Sequence, residues 1–365
     1  MDIKVITRHA PSNYGSLLQS IASQTVLERL GHTCEIIDYI RDDEQGLRGT
    51  MTALRGKREW NNNPLKKMVY LLLRYPEEKQ AEMKFANMRK RYLKLTRRCS
   101  SHEDLKLLDA DVFMTGSDQV WGPTMNGRYD EAYFLFFVED RKKTAYAASF
   151  GRTDFTPSIL AEYKKLLSSY SAIAVRENTA VDLLRRMGVR CAGQVLDPTL
   201  LLTGEEWERH IRKEIKGKYV LVYQIHNDPA LSDYAIRFAR QVRLPLYRIS
   251  PTFHQFRRGG KFVYLPDLSD FLSYIKNCTY FVTDSFHGTA FALNFNRQFI
   301  EILPNNKTGS RNQSILQLTG LQDRILKDLD DFSIADRLIN YSPVNEILAG
   351  ERDNSIRILK QLINS

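Results

Sequence analysis

The sequence has 365 residues, of which 43% are hydrophobic and 26% charged; these values exclude wholesale disorder and leave room for about two domains with cores of their own. Lys and Arg outnumber Asp and Glu by 53 to 43, a formal charge of +10. No uncharged apolar run reaches 18 residues (that from Met68 to Leu73 stops at Arg74), and Met1-Asp2-Ile3-Lys4 leads into a short strand rather than a secretory leader, so a soluble, cytoplasmic protein is expected.

An apolar strand over 2–6 opens the chain. A loop at Pro11-Ser12-Asn13-Tyr14-Gly15 follows, then a helix carrying Leu17, Leu18, Ile21, Ala22, Val26, Leu27 and Leu30, closed by Gly31. A second strand over 33–39 completes a strand–helix–strand unit, which implies parallel pairing. Residues 41–100 then interrupt the alternation. They hold 16 Lys and Arg against 7 Asp and Glu, whereas the rest of the chain holds 37 against 36. Within them Leu65, Met68, Val69, Leu71, Leu72, Phe85, Met88, Tyr92 and Leu93 recur at spacings of three and four, predicting amphipathic helices in a basic insert. Such a segment is either attracted to an acidic surface (a phosphate-bearing substrate, or an anionic membrane touched peripherally) or is a solvated face over a domain core. No nucleic-acid partner is expected, because the chain has no recognised binding motif and no basic tail.

The alternation resumes with strands over 111–115, 144–149, 171–175 and 193–196 and helices over 157–168 and 177–187. Asp197-Pro198-Thr199 breaks it, and Thr203-Gly204-Glu205-Glu206 is a capping-box start. A fresh series follows, with strands over 218–225, 245–249, 261–264, 279–283 and 298–302 and helices over 228–242, 267–277 and 287–294. Two successive series predict an α/β protein of two facing Rossmann-like domains with parallel sheets. The expected domains are 1–205, with the basic insert at about 41–100, and 206–345. A tail over 346–365, helical over 354–363, is expected to pack back on the first. Cys34, Cys99, Cys191 and Cys278 stand singly, which reads as reduced thiols and not as a disulfide frame or a zinc site.

Chemistry-bearing residues collect where strands end. In open parallel sheets ligands sit at the carboxyl ends of strands, and a helix N-terminus there offers free N–H donors to an anion. Tyr280-Phe281-Val282-Thr283 runs into Asp284-Ser285-Phe286-His287-Gly288-Thr289, which places His287 as an acid, base or anion ligand; a capping Asp or Ser with a packed His is the alternative. Gly116-Ser117-Asp118 ends another strand, and so does Val175-Arg176-Glu177, where Arg176 either forks onto a carboxylate or phosphate or pairs with Glu177. Asn13-Tyr14-Gly15 is a strand-to-helix loop whose glycine permits close backbone approach, and Gly259-Gly260 follows Arg257-Arg258 in a basic loop. Neither G-x-G-x-x-G in the first unit nor G-x-x-x-x-G-K-[ST] is present, so no dinucleotide or P-loop site is expected.

Taken together, Asn13-Tyr-Gly-Ser-Leu-Leu-Gln19, Gly116-Ser-Asp-Gln-Val-Trp121, Ala145-Tyr-Ala-Ala-Ser-Phe-Gly151, Val175-Arg-Glu177, Leu196-Asp-Pro-Thr199, Thr283-Asp-Ser-Phe-His-Gly-Thr289 and Ser310-Arg-Asn312 resemble the polysaccharide pyruvyl transferase family, in family order over roughly residues 3–325. The resemblance implies a GT-B-like fold. It also implies transfer of a pyruvyl group from phosphoenolpyruvate, a donor substrate rather than a cofactor, to a sugar of a surface polysaccharide or its precursor. A cyclic ketal forms and phosphate is released. By position, His287 matches the family's C-terminal-domain histidine and Arg176 an arginine placed to hold phosphoenolpyruvate. Several relatives carry Arg-Leu-His-Gly where this chain has Ser285-Phe286-His287-Gly288, which removes a donor-pocket arginine; Arg311, Arg257 and Arg258 are the candidates to replace its charge.

Ketal formation needs one acid and one base. His287 is the expected acid, for phosphate departure or C-protonation, with Asp118 or Glu177 as the base. Arg176, Asn13, Gly15, Ser117, Asp284, Ser285, Gly288, Thr289 and Arg311 are the expected substrate-binding residues. No metal is demanded, since the His and carboxylates lack i, i+4 ligand spacing. A lipid-linked saccharide acceptor would bring residues 57–98 to an anionic membrane. The competing expectations are a nucleotide-sugar-dependent GT-B glycosyltransferase and a non-catalytic carbohydrate-binding relative.

Overall fold

The computed structural model describes residues 1–41, 44–124, 127–152, 154–304 and 309–365; Asp42 and Asp43 of the basic insert lie outside them. The chain divides into two compact units, Met1–Pro198 with Asn354–Ser365, and Thr199–Asp353.

The first unit contains β1 (Asp2–Ile6), α1 (Tyr14–Arg29), β2 (Thr33–Ile36), α2 (Gly46–Arg55), α3 (Arg58–Asn61), α4 (Pro64–Tyr92), α5 (His102–Lys106), β3 (Val112–Thr115), β4 (Lys143–Ala148), α6 (Pro157–Leu167), β5 (Ala172–Val175), α7 (Asn178–Met187) and β6 (Gly193–Gln194). Its six strands are parallel, in the order β2-β1-β3-β4-β5-β6. The chain therefore leaves β1 toward one edge and returns to its other side through β3, so β1 and β3 flank the point where the winding reverses. Every residue of β3 and β4 is buried, as expected of strands covered on both faces. Trp121, Phe134, Phe150 and Tyr163 pack beside them, and Trp121 Nε1 donates to the Tyr133 carbonyl at 3.2 Å.

β2 stops at Ile36, short of the expected 39. Beyond it the chain makes only isolated bridges, Ile36 with Leu95 and Tyr39 with Cys99, as the helical insert returns. β6 is also shorter than expected, because the Leu196 N–H turns away to donate to Ser355 Oγ at 2.9 Å. The insert is helical, with α2 and α4 packed on each other. Of its periodic apolar residues, Phe85, Met88 and Leu93 are buried, whereas Leu65, Met68, Val69 and Leu72 face solvent. The expectation of an apolar face over a core thus holds only for the second half of α4.

In the second unit, α8 (Pro198–Leu201) leads into α9 (Gly204–Glu208), β7 (Val220–Tyr223), α10 (Pro229–Gln241), β8 (Leu246–Ser250), β9 (Lys261–Tyr264), α11 (Leu268–Asn277), β10 (Tyr280–Thr283), α12 (Phe286–Asn294), β11 (Gln298–Glu301), α13 (Ser310–Leu318) and α14 (Tyr341–Ile363). The division between units falls at Pro198/Thr199 rather than after 205. Trp207 is fully buried, and its indole N–H and the Asn294 amide both donate to the Thr199 carbonyl, at 2.9 and 2.8 Å, which ties that segment to the second unit. The sheet is parallel with order β11-β10-β7-β8-β9, so the winding reverses between β7 and β10. Val220, Val222, Tyr234, Phe238, Val282 and Ile300 form the core on one of its faces. α14 begins well before the expected 354, and its last turns, from Asn354 onward, belong to the first unit.

Candidate functional site

Each unit gathers polar residues at the carboxyl edge of its sheet. In the first, Gly116 lies where β3 passes β1 so closely that a Cβ would come within 2.8 Å of Val5 Cγ1. That contact fixes the loop, and Thr7 Oγ1 donates to the Ser117 carbonyl at 2.7 Å. Ser117 Oγ and Arg176 Nη1 both donate to Asp197 Oδ2 at 2.7 Å, and Arg176 Nη1 also reaches Ser117 Oγ at 3.2 Å. Glu177 Oε2 lies 3.5 Å from Arg176 Nε. Burial works against the Arg176 charge, but Asp197 and Glu177 outweigh it and hold the guanidinium above its ordinary pKa. Arg176 is thus spent on two carboxylates in the interior. The contact with Glu177 is one of the two arrangements expected of it.

β4 joins the network through a bulge. Its register with β5 shifts between Tyr146 and Ala148, and Ala147 takes φ +56°. The bulge re-aims Ser149, whose hydroxyl donates to Glu177 Oε1 at 2.6 Å and whose N–H donates to the Asp118 carbonyl at 3.1 Å. Glu177 is buried, whereas Asp118 is half-buried. Asp118 holds φ +75°, and its Oδ2 accepts from Ser16 Oγ of α1 at 2.9 Å. Asn13 caps α1, accepting from the Gly15 N–H at 2.8 Å, so this pair is bound up in shaping the helix start. The expected residues Asn13, Gly15, Ser117, Asp118, Arg176 and Glu177 thus meet around one edge. His9 was missed: it is fully buried after β1, with Nε2 3.2 Å from Asp38 Oδ1. Its signal was its position three residues beyond the end of β1, at the reversal point.

In the second unit, Asp284 follows β10 and is buried. Its carboxylate accepts from the backbone N–H groups of Ile225 and His226 at 2.8 and 2.9 Å and lies 3.1 Å from His226 Nδ1, which ties the ends of β7 and β10 together. Ser285 is the N-cap of α12, accepting from the Gly288 N–H at 3.2 Å. A Cβ on Gly288 would come within 2.5 Å of Thr283 Oγ1, so only glycine passes there without a shift. His287 lies in the first turn of α12, at the helix's positive end, against Phe286. Arg311, from α13, stands over the Phe286 ring at 5.9 Å.

Beneath this turn lies Glu301, which sequence reasoning did not single out. Asn312 Nδ2 donates to its Oε1 at 2.6 Å, and its Oε2 is 2.5 Å from Thr289 Oγ1. Complete burial, with the nearby Asp284 charge, raises its pKa to about 8 against those hydrogen bonds. A threonine hydroxyl has one proton, and that of Thr289 also reaches the Ser285 carbonyl at 3.1 Å. With the carboxyl protonated, Glu301 donates to Thr289 and Thr289 to Ser285, so every group is satisfied.

Arg248, in β8, is fully buried and bonds to the Gly259 and Arg258 carbonyls and Ser232 Oγ at 3.2–3.3 Å. Among the described residues no carboxylate lies within ion-pair distance of it, and burial, then the neighbouring Arg258, lower its pKa to about 10. It clamps the loop that carries Arg258, whose Nη1 donates to Gln224 Oε1 at 3.1 Å just after β7. Arg257 is exposed. Of the three candidate replacements for the absent arginine, Arg258 and Arg311 therefore stand near the switch-point loop.

Two parallel-sheet α/β units, each with its polar cluster at the reversal point, define a GT-B-like fold. Solved structures share it. UDP-GlcNAc 2-epimerase from Methanocaldococcus jannaschii superposes with a TM-score of 0.54 at 13% identity, over 99% of this chain and 100% of that one. A trehalose-6-phosphate synthase gives 0.52 at 11%, over 99% of each, and an α-glucosyltransferase solved with UDP and DNA gives 0.51 at 10%, over 100% of each. No curated protein matches the chain. The profile of the polysaccharide pyruvyl transferase family matches residues 13–306, and the chain belongs to that family. It is a polysaccharide-modifying transferase in that sense.

Proposed function

We propose that the protein transfers the pyruvyl group of phosphoenolpyruvate to two hydroxyls of a saccharide, a surface polysaccharide or its precursor, as a cyclic ketal. A proton adds to the enol CH2 carbon, one sugar hydroxyl attacks the neighbouring carbon, the C–O bond to phosphate breaks, and the second hydroxyl closes the ring. The observation that carries this reading beyond family membership is the α12 turn. A histidine at a helix's positive end, with Arg311 over the ring of the adjoining Phe286 and Arg258 beyond Gln224, suits a donor bearing both carboxylate and phosphate. His287 is the proposed acid. Between the two candidate bases, Asp118 is favoured, because it is half-buried while Glu177 is enclosed with Ser149 and Arg176. Arg258 and Arg311 are proposed to supply the charge that Ser285 does not.

The test is phosphate release from phosphoenolpyruvate in the presence of a saccharide acceptor, with His287→Ala alongside. Loss of about 100-fold or more in the variant supports the acid role. Retention within about tenfold makes His287 structural, and a wild-type chain that releases no phosphate while a nucleotide sugar is consumed moves the reading to glycosyl transfer.

A further inference from the structure

The first half of α4 turns an apolar row toward water. Tyr70, Ala81, Phe85 and Met88 are buried on one side, while Leu65, Met68, Val69, Leu72 and Leu73 are exposed, Leu72 and Leu73 each at 66%. Their spacings from Leu65, of three, four, seven and eight residues, place all five on one helical face. Leu47 and Met51, one turn apart on α2, are exposed as well. Single exposed apolar side chains are ordinary, but a continuous row of five marks a surface made to be covered.

The charges around the row are sorted. Acidic side chains of α4 face inward: Glu78 accepts from Thr50 Oγ1 at 2.5 Å, Glu82 from the Gly46 N–H at 2.7 Å, and Glu77 lies 2.5 Å from Arg74. Arg55, Lys57, Lys66 and Lys79 are exposed. We propose that this face docks on the surface of an anionic lipid bilayer, the leucine row entering the headgroup–acyl boundary and the lysines meeting the lipid charge. A second copy of the chain fits less well. A two-fold contact through this face would set the exposed Arg55, Lys57, Lys66 and Lys79 against their own image. No helix among the described residues is long and apolar enough to cross a membrane, so the mode is lying on the surface. The docking rests on this face alone and not on the pyruvyl-transfer reading.

The test is sedimentation of the full chain with phosphatidylcholine vesicles, with and without phosphatidylglycerol, and no substrate present. Binding to the anionic vesicles alone, weakened by salt, is expected. Leu72→Asp with Leu73→Asp, and separately Lys66→Glu with Lys79→Glu, are each expected to lower the bound fraction about tenfold or more. All four residues lie at the surface, so an unchanged melting temperature checks that the variants fold. Equal recovery in the supernatant with both vesicle types would overturn the proposal. So would a dimer, seen by light scattering and broken by the leucine variant, in a chain that binds no vesicles.

Discussion

Asp118 combines a left-handed backbone at +75° with a carboxylate that accepts a hydroxyl proton from Ser16 at 2.9 Å. Aspartate and asparagine tolerate this conformation better than most residues. Asp118→Asn should therefore leave the melting temperature within a few degrees while lowering turnover about 100-fold, if the carboxylate is the base; equal loss in both would make Asp118 a backbone device. Glu301 gives a second prediction, read in stability. A carboxyl held protonated by the fold, with its pKa raised to about 8, binds a proton that the unfolded chain has already lost. The stability it contributes is complete below about pH 4.5 and falls as pH rises toward 8, by up to about 1.4 kcal/mol per pH unit. Denaturation of Glu301→Gln should show a flatter profile between about pH 5.5 and pH 7.5. A profile parallel to wild type would mean that Glu301 is ionised in the fold.

At the scale of elements, the ends of β3, β4 and β5 and the segment after β6 are laced by Ser117, Ser149, Arg176, Glu177 and Asp197. A buried ion pair adds little over an apolar filling, but loss of one partner strands the other charge. Asp197→Asn is accordingly expected to destabilise the first unit by about 3 kcal/mol or more, measured by chemical denaturation. A loss below about 1 kcal/mol would show Glu177 sufficient to hold the guanidinium alone. Much at this scale was legible. Gly31, Thr203 with Glu206, and the short β-branched and aromatic runs announced their elements, because caps and periodicity are local. The shortening of β2 and β6 was not, since distant segments, the insert's return and Ser355, claimed their hydrogen bonds.

At the scale of the whole molecule, a ligand that binds only the folded chain raises its stability by mass action. Phosphoenolpyruvate at about 100 times its dissociation constant should add about 2.7 kcal/mol, a rise of several degrees in melting temperature. The rise should disappear in Arg258→Ala and in His287→Ala. A shift produced by a nucleotide alone would contradict pyruvyl transfer. The +10 charge has a whole-molecule meaning too: 16 of the 53 basic residues fall in 41–100, so salt should act on surface association far more than on folding.

The sequence by itself determined the two α/β series, the family motifs and the loops that bear His287, Asp118 and Arg176, because strand ends, caps and glycine turns are written in neighbouring residues. Tertiary structure decided what those residues do. It drew Arg176 inward between Asp197 and Glu177, made Ser285 a helix cap and placed Glu301 under the α12 turn. It also turned the leucines of α4 to water. Periodicity fixes which residues share a face, but only the packed neighbours determine whether that face is covered, and whether a charge finds a partner or a site.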